Sequence, residues 1–528
     1  VAAETPLLFA RCLPQEDSMP LKIAMIGAGS TEFTRRLVHD ILTVPELTDT
    51  TFAFMDISQR NLDMVTQICE RDIRANDLPA TVVPTTDQRE AITDADYVLC
   101  TIRQGGLEAF QLDIDIPLKY GVDQCVGDTL CAGGIMYAQR AIPALLDICK
   151  DIREVAKPDA LFLNYANPMA MNTWACNEYG GVRMLGLCHG VQHTHAQITN
   201  CVEMWAKREG LVPQDYEMDR HEVDVVAAGL NHQTWFIKVT WRGRDMVPLL
   251  LELFTQHPEY HKTEKVRIDV LRRFGYYSTE SNGHLSEYLP WYRKRPDEIM
   301  QWIDLSWWVH GETGGYLRFS TEDRNWFETD FPRWLAEDPP VIGAERRSQE
   351  HGSYIIEALE TGRTYRGHFN VVNRGRIPNL PADCVVEIPG YVDRTGINSP
   401  VVGDLPLACA ATCSASVNVQ RMGMEAAVKG DVTLLKQAML HDPLVGAVCN
   451  PEEVWQMADE MLVAQAQWLP QYEAEIPRAE ARLETAERDG TRVKTRDYKG
   501  AARLHVRTAE EAARGAEALP IRDDPDRC

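Results

Sequence analysis

The run Leu185-Gly186-Leu187-Cys188-His189-Gly190-Val191 sets a thiol and an imidazole side by side at the end of an apolar stretch. A thiolate is a soft metal ligand and a neutral imidazole a borderline one. With the further imidazole of Gly229-Leu230-Asn231-His232, Cys188 and His232 could hold a divalent ion. They could meet only through the fold, and the spacing leaves open a buried cysteine beside a satisfied core histidine.

Other polar groups recur where apolar runs end. Arg103-Gln104-Gly105-Gly106 follows one such run, Asp128-Thr129 precedes the Gly133-Gly134 turn, and Asn164-Tyr165-Ala166-Asn167-Pro168 closes another. Any one of them could be a cap or turn residue. Together they sit where open parallel sheets bind ligands, at the carboxyl ends of strands.

Gly27-Ala28-Gly29-Ser30 stands between an apolar run and a helical pattern, so its backbone N–H groups and the helix dipole could face a pyrophosphate. Glu32 replaces the third glycine of the usual fingerprint, which makes the glycines alone a weak sign. Asp56 closes the next apolar run, where its carboxylate could accept ribose hydroxyls and repel a 2'-phosphate, favouring NAD over NADP.

These groups need elements to hold them. Residues 21–26, 51–55, 97–102 and 161–165 read as buried strands, and 33–42 and 135–155 as helices, which gives βαβ units and a parallel sheet. After about residue 210 the alternation weakens, with strands expected at 223–226 and 235–239. The expected fold is α/β: a Rossmann-like parallel sheet of the lactate and malate dehydrogenase type, followed by a mixed α+β domain. Its expected parts are an extension at 1–18, an NAD-binding domain at 19–210, a catalytic and oligomerisation domain at 211–472 and a polar tail at 473–528. The tail, rich in Glu, Arg and Ala without an apolar stripe, reads as solvated helix or disorder.

Of the 528 residues, 78 are acidic and 54 basic, a net charge of -24 that argues against a nucleic-acid partner. Fourteen cysteines scattered through so long a chain read as reduced thiols rather than a disulfide framework. No stretch approaches the roughly 18 apolar residues of a membrane span, and residues 1–20 lack the pattern of a signal peptide, so the expected location is cytoplasmic.

From about residue 22 to 470 the chain resembles glycoside hydrolase family 4, whose members use NAD and a divalent metal. The resemblance rests on Ile26-Gly27-Ala28-Gly29-Ser30, Met55-Asp56, Arg103 to Gly106, Asp128-Thr129, residues 164–174, Cys188-His189-Gly190-Val191, residues 229–232, and Asn379-Leu380-Pro381 with Val385-Val386-Glu387-Ile388-Pro389. Asn-Pro-Met-Ala-Met-Asn-Thr-Trp at 167–174 and the segment 275–281 look most like its melibiase-type α-galactosidases, whereas Cys-His-Gly at 188–190 is closer to its α-glucosidases.

The resemblance implies a route apart from the two-carboxylate displacement of most glycosidases. NAD oxidises the sugar at C3, a side chain removes the acidified C2 proton, the aglycone leaves from C1, water adds, and the hydride returns. Cys188 and His232 would carry Mn2+ or another divalent ion, and Gly27, Ala28, Gly29, Ser30, Asp56 and Arg103 the cofactor. Asn167, Arg103 and Asp128 would bind sugar hydroxyls, and Asp128 and His189 would move protons at the C3 hydroxyl and the leaving oxygen. Glu280, with Tyr277 second, would be the C2 base. The partners implied are a small α-glycoside and further copies of the chain, as a homodimer or homotetramer. An α-glucuronidase or α-galacturonidase, a lactate- or malate-type dehydrogenase, and a dinucleotide sensor without chemistry are the other readings.

Overall fold

Four consecutive buried residues make β1 (Lys22–Ile26) a strand covered on both faces. The computed structural model describes residues 20–322 and 325–504. Around β1 lie β2 (Thr51–Met55), β3 (Thr81–Thr85), β4 (Tyr97–Cys100), β5 (Leu161–Asn164) and β6 (Arg183–Gly186). They pair in parallel in the order β3-β2-β1-β4-β5-β6. The order reverses beside β1, which opens a crevice at the carboxyl ends of β1 and β4.

Strand alternation decides what covers each face. Ile23 and Met25 pack with Leu37, Val38 and Ile41 of the helix Thr31–Leu42, whereas Ala24 and Ile26 pack with Leu145, Ile148 and Ile152 of the helix Cys131–Val155. The parallel strands and both expected helices are present, each helix beginning a few residues earlier than its apolar spacing indicates.

The sheet does not stop at β6. It continues through β11 (Tyr365–Val372), β12 (Val385–Asp393), β7 (Val223–Leu230), β8 (Gln233–Trp241) and β10 (Tyr277–Ser278), with β9 (Arg244–Asp245) on β8 and β13 (Gly396–Asn398) on β12. Two joins in this run are a single residue pair wide, Gly186 with Asn370 and Gly229 with Glu387. A side chain at Gly186 would meet Thr173 Oγ1 and Met169 Sδ, so the first join needs glycine.

Residues 1–18 lie outside the described residues, as does the stretch from 505 onward. The rest of the expected polar tail is not solvated throughout. After the helix Ile476–Arg488 it runs back over the body, held by Val493 N–H to Gln456 Oε1, Arg496 to Glu453, and Tyr498 Oη and Ala501 N–H to Asp123. Polar contacts replace the apolar stripe that its composition lacks. The twelve described cysteines are free thiols, and no helix among the described residues is long and apolar enough to cross a membrane.

The first helix is tied to the next, Gln59–Ala75, through the buried Asp72, which accepts from Arg35 Nε at 2.6 Å and pairs with His39 Nε2 at 3.0 Å and Arg71 Nη2 at 2.8 Å. Burial alone would raise its pKa, but the bonds from His39 and Arg35 and the guanidinium charges hold it down to about 2. An unfolded Asp titrates near ~3.9, so this carboxylate stabilises the fold above that pH by about 2 kcal/mol, and the contribution is lost as pH falls toward its folded value. Asp72→Asn is expected to cost about that much at pH ~6 and to make urea stability fall less steeply than wild type between pH ~5 and ~3.

Candidate active site

His232 sits in the tight turn between β7 and β8 with φ +64°, a left-handed conformation that costs a non-glycine residue about 1–3 kcal/mol. Its Nδ1 lies 2.8 Å from Thr129 Oγ1, and Thr129 donates its one hydroxyl proton to Asp128 Oδ1, also at 2.8 Å. The hydroxyl oxygen therefore accepts from His232 Nδ1–H, which leaves the lone pair on Nε2. That lone pair faces Glu280 Oε2 at 3.0 Å. A lone pair and a carboxylate oxygen so close repel unless a proton or a cation lies between them.

Cys188 completes the set: ligand atoms of Cys188, His232 and Glu280 all lie within 4.8 Å of one another. A thiol, an imidazole and a carboxylate at this spacing suit a divalent transition metal. Burial and the nearby carboxylates of Glu387 and Glu280 push the Cys188 thiol well above its ordinary pKa. The thiolate read from the sequence is thus a thiol until a cation draws its proton off. Glu280 also has positive φ, +73°. Burial would raise its carboxyl, but His232, His284 and His193 outweigh that and hold it below the usual range. A Cβ at Gly190 would lie 2.8 Å from Glu280 Oε2, so any side chain at 190 would displace this carboxylate.

A second triad shares His232: ligand atoms of Asp128, His232 and His284 also lie within 4.8 Å of one another. Asp128 is buried and accepts from Asn167 Nδ2 at 2.9 Å; burial works against its charge, but His284, His232 and Arg103 keep the carboxyl below its ordinary pKa. Arg103 lies over the rings of Phe110, Tyr137 and Tyr316 at 4.6, 5.4 and 5.5 Å. The sequence reading missed His284. It is in the first turn of the helix Asn282–Tyr288, where Ser281 Oγ caps its backbone N–H and meets its Nδ1 at 2.8 Å. Burial lowers its pKa, working against the nearby carboxylate of Glu280. Its signal was local, a histidine four residues after Glu280 and three after a capping serine.

Tyr277 is a correction. Strand alternation in β10 turns its ring into the core, stacked on Phe254 at 3.9 Å beneath the Arg267 guanidinium, with no exposed surface. It cannot reach a substrate beside Glu280. His189 points its Nε2 at Glu350 Oε2, 2.7 Å away, and lies against Tyr165 and Phe33 on the side of the first helix. Glu350 is 161 residues distant in the chain, so no local pattern could have found it.

The glycine turn also differs in detail from expectation. Gly27 and Ala28 donate their N–H groups to Met55 O, Gly29 to Asp56 Oδ2 and Ser30 to Gly27 O. These four amides are spent within the turn and on the end of β2, which leaves the first-turn N–H groups of the helix Thr31–Leu42, without an acceptor in the helix, as the ones that could meet a phosphate. Asp56, held by Gly29 N–H and Ser58 N–H at 2.8 Å each, stays half-buried at the crevice mouth.

Residues 22–204 match the family model described as family 4 glycosyl hydrolase, and residues 227–445 match that of its C-terminal domain. The chain belongs to glycosyl hydrolase family 4. An alpha-galactosidase of Rhizobium meliloti (strain 1021) is 60% identical over 502 residues, 95% of this chain and 99% of that protein. An alpha-galactosidase of Bacillus subtilis (strain 168) is 34% identical over 460 residues, 85% of this chain and 99% of that one. The 6-phospho-beta glucosidase of Thermotoga maritima, solved with manganese, NAD+ and glucose-6-phosphate, is similar in fold with a TM-score of 0.67 at 23% identity, covering 85% of this chain and 99% of that one. This family 4 enzyme is a glycosidase, and the dehydrogenase and sensor readings give way to that membership.

In the family 4 enzyme, Thr129 decides which nitrogen of His232 is available. Thr129→Val keeps the shape and removes the hydroxyl, freeing the ring to take the other tautomer. Isothermal titration with Mn2+ is expected to show affinity about 10–100-fold weaker than wild type, the usual effect of losing such a partner.

Proposed function

We propose that this enzyme is an NAD- and Mn2+-dependent α-galactosidase acting on unphosphorylated α-galactosides. The sugar assignment is supported by the 60% identity to an alpha-galactosidase over nearly the whole of both chains. The cofactor assignment is supported by the ligand atoms of Cys188 and His232, within 4.8 Å of each other and of the Glu280 carboxylate, and by the dinucleotide crevice beside β1. When bound, the dinucleotide supplies a reversible hydride acceptor and the divalent ion a Lewis acid.

Cys188 Sγ and His232 Nε2 hold the ion, and Asp56, the first turn of the helix Thr31–Leu42 and Arg103 hold the dinucleotide. Asn167 and Asp128, bonded to each other, orient the sugar hydroxyls. Glu280, kept ionised beside both metal ligands, takes the proton from C2. His189, backed by Glu350 and lying toward Tyr165 and Phe33 on the dinucleotide side, accepts the proton of the C3 hydroxyl. Asp128, across the cluster beside His284, serves the leaving oxygen once it has taken up a proton against the pull of His284, His232 and Arg103 that keeps it ionised at rest. The twelve free thiols among the described residues suit a cytoplasmic enzyme, and a homodimer or homotetramer is the assembly proposed, to be read by light scattering.

With nitrophenyl α-galactoside, hydrolysis is expected only when NAD and a divalent ion are both added, with a chelator or Cys188→Ser lowering it at least ~100-fold. In deuterated water the product should carry deuterium at C2 while the absorbance of NADH stays flat. Continuing net NADH formation, or faster turnover of an α-glucoside or α-galacturonide, would sink the reading.

A further inference from the structure

Beyond the cluster the chain builds an aromatic wall that the chemistry proposed above does not use. Trp308 stands 4.7 Å from Tyr316 and 6.0 Å from Phe319, and Trp307 meets Phe319 edge-on at 5.7 Å, as ring-centre distances. All four rings are half-buried.

The wall is anchored from beneath. Asn282, fully buried, donates to the carbonyls of Trp302 and His310 at 3.0 and 2.9 Å. Arg293, also buried, donates to Gly311 O at 3.0 Å while paired with Asp123 at 2.8 Å, and Cys125 Sγ reaches Trp308 O at 3.0 Å. Rings fixed this way lose little freedom when something stacks on them.

One end of the wall meets the catalytic cluster and the other meets Arg103. Trp308 lies edge-on to His284 at 6.4 Å, and Tyr316 carries the Arg103 guanidinium at 5.5 Å. A sugar held by Asp128 and Asn167 lies one side chain, His284, away from this surface. The electron-rich faces of the rings attract the C–H edges of a neutral pyranose, which hydroxyls alone would not hold.

Resting on the α-galactosidase reading, we propose that Trp307, Trp308, Tyr316 and Phe319 form the leaving-group subsite and bind a neutral second sugar ring by stacking. The enzyme then prefers α-galactosyl oligosaccharides to galactosides with a small aliphatic leaving group.

The test compares kcat/KM for an α-galactosyl-glucose disaccharide with that for methyl α-galactoside, in wild type, Trp307→Ala and Trp307→Phe. The ratio is expected to fall about fivefold in Trp307→Ala, carried by KM for the disaccharide, and to recover largely in Trp307→Phe. Glucose alone should quench tryptophan fluorescence of the wild type, and at higher concentration in Trp307→Ala. Phe319→Ala, on the separate helix Gly315–Glu322, makes the same test should Trp307→Ala fail to fold. A purely structural role would lower both substrates alike and leave the ratio unchanged, which would overturn the subsite alone. Failure of wild type on both galactosides with NAD and Mn2+ would overturn the galactosidase reading and the subsite with it.

Discussion

A sulfur, an imidazole lone pair and a carboxylate within 4.8 Å of one another will not stay together unless the chain compels them. The means are visible in the backbone. His232 and Glu280 both occupy left-handed φ, each at a cost of about 1–3 kcal/mol, and Gly190 gives up its side chain to leave Glu280 its space. Behind His232 the buried Thr129–Asp128 pair fixes the tautomer, so the strain is spent on a defined ligand atom.

The sheet supplies the rigidity that this strain is held against. Its parallel half delivers Asp56, Arg103, Asn167 and Cys188 at strand ends, and its antiparallel half delivers His232 and Glu280. The two halves meet through a join one residue pair wide, Gly186 with Asn370, and a second join as narrow, Gly229 with Glu387, lies within the antiparallel half. Cys188 lies two residues past the first join and His232 three past the second. Glu387, at the second join, is raised to about 8 by burial first and then by Glu280, so near neutral pH it is mostly protonated. Its bonds from Thr234 and Asn231, at 3.0 and 3.4 Å, brace the turn that carries His232. A lone acid in the apolar run 385–389 was its signal in the sequence.

The ionisable groups divide along the same lines. His189 with Glu350 lies toward the first helix and the dinucleotide crevice, and Asp128 with His284 lies toward the aromatic wall.

Much of this was legible before any coordinates. Apolar runs of strand length and the spacing of the helices specified the parallel half, because burial on both faces demands continuous apolar residues. Chemically distinctive residues, Asp56, Cys188 and His232 at strand ends and Asp128 between two helices, were identifiable because few other residue types serve there. What the sequence could not decide was anything set by distance through the fold or by which way a side chain turns. Tyr277 and Glu280 are three residues apart, yet strand alternation buries one and a left-handed turn presents the other. Glu350 joins His189 across 161 residues, and the tail that composition alone marks as solvated is strapped down by polar partners brought to it by packing. Local chemistry is written in residue types, but orientation and long-range partnership exist only once the sheet has closed around them.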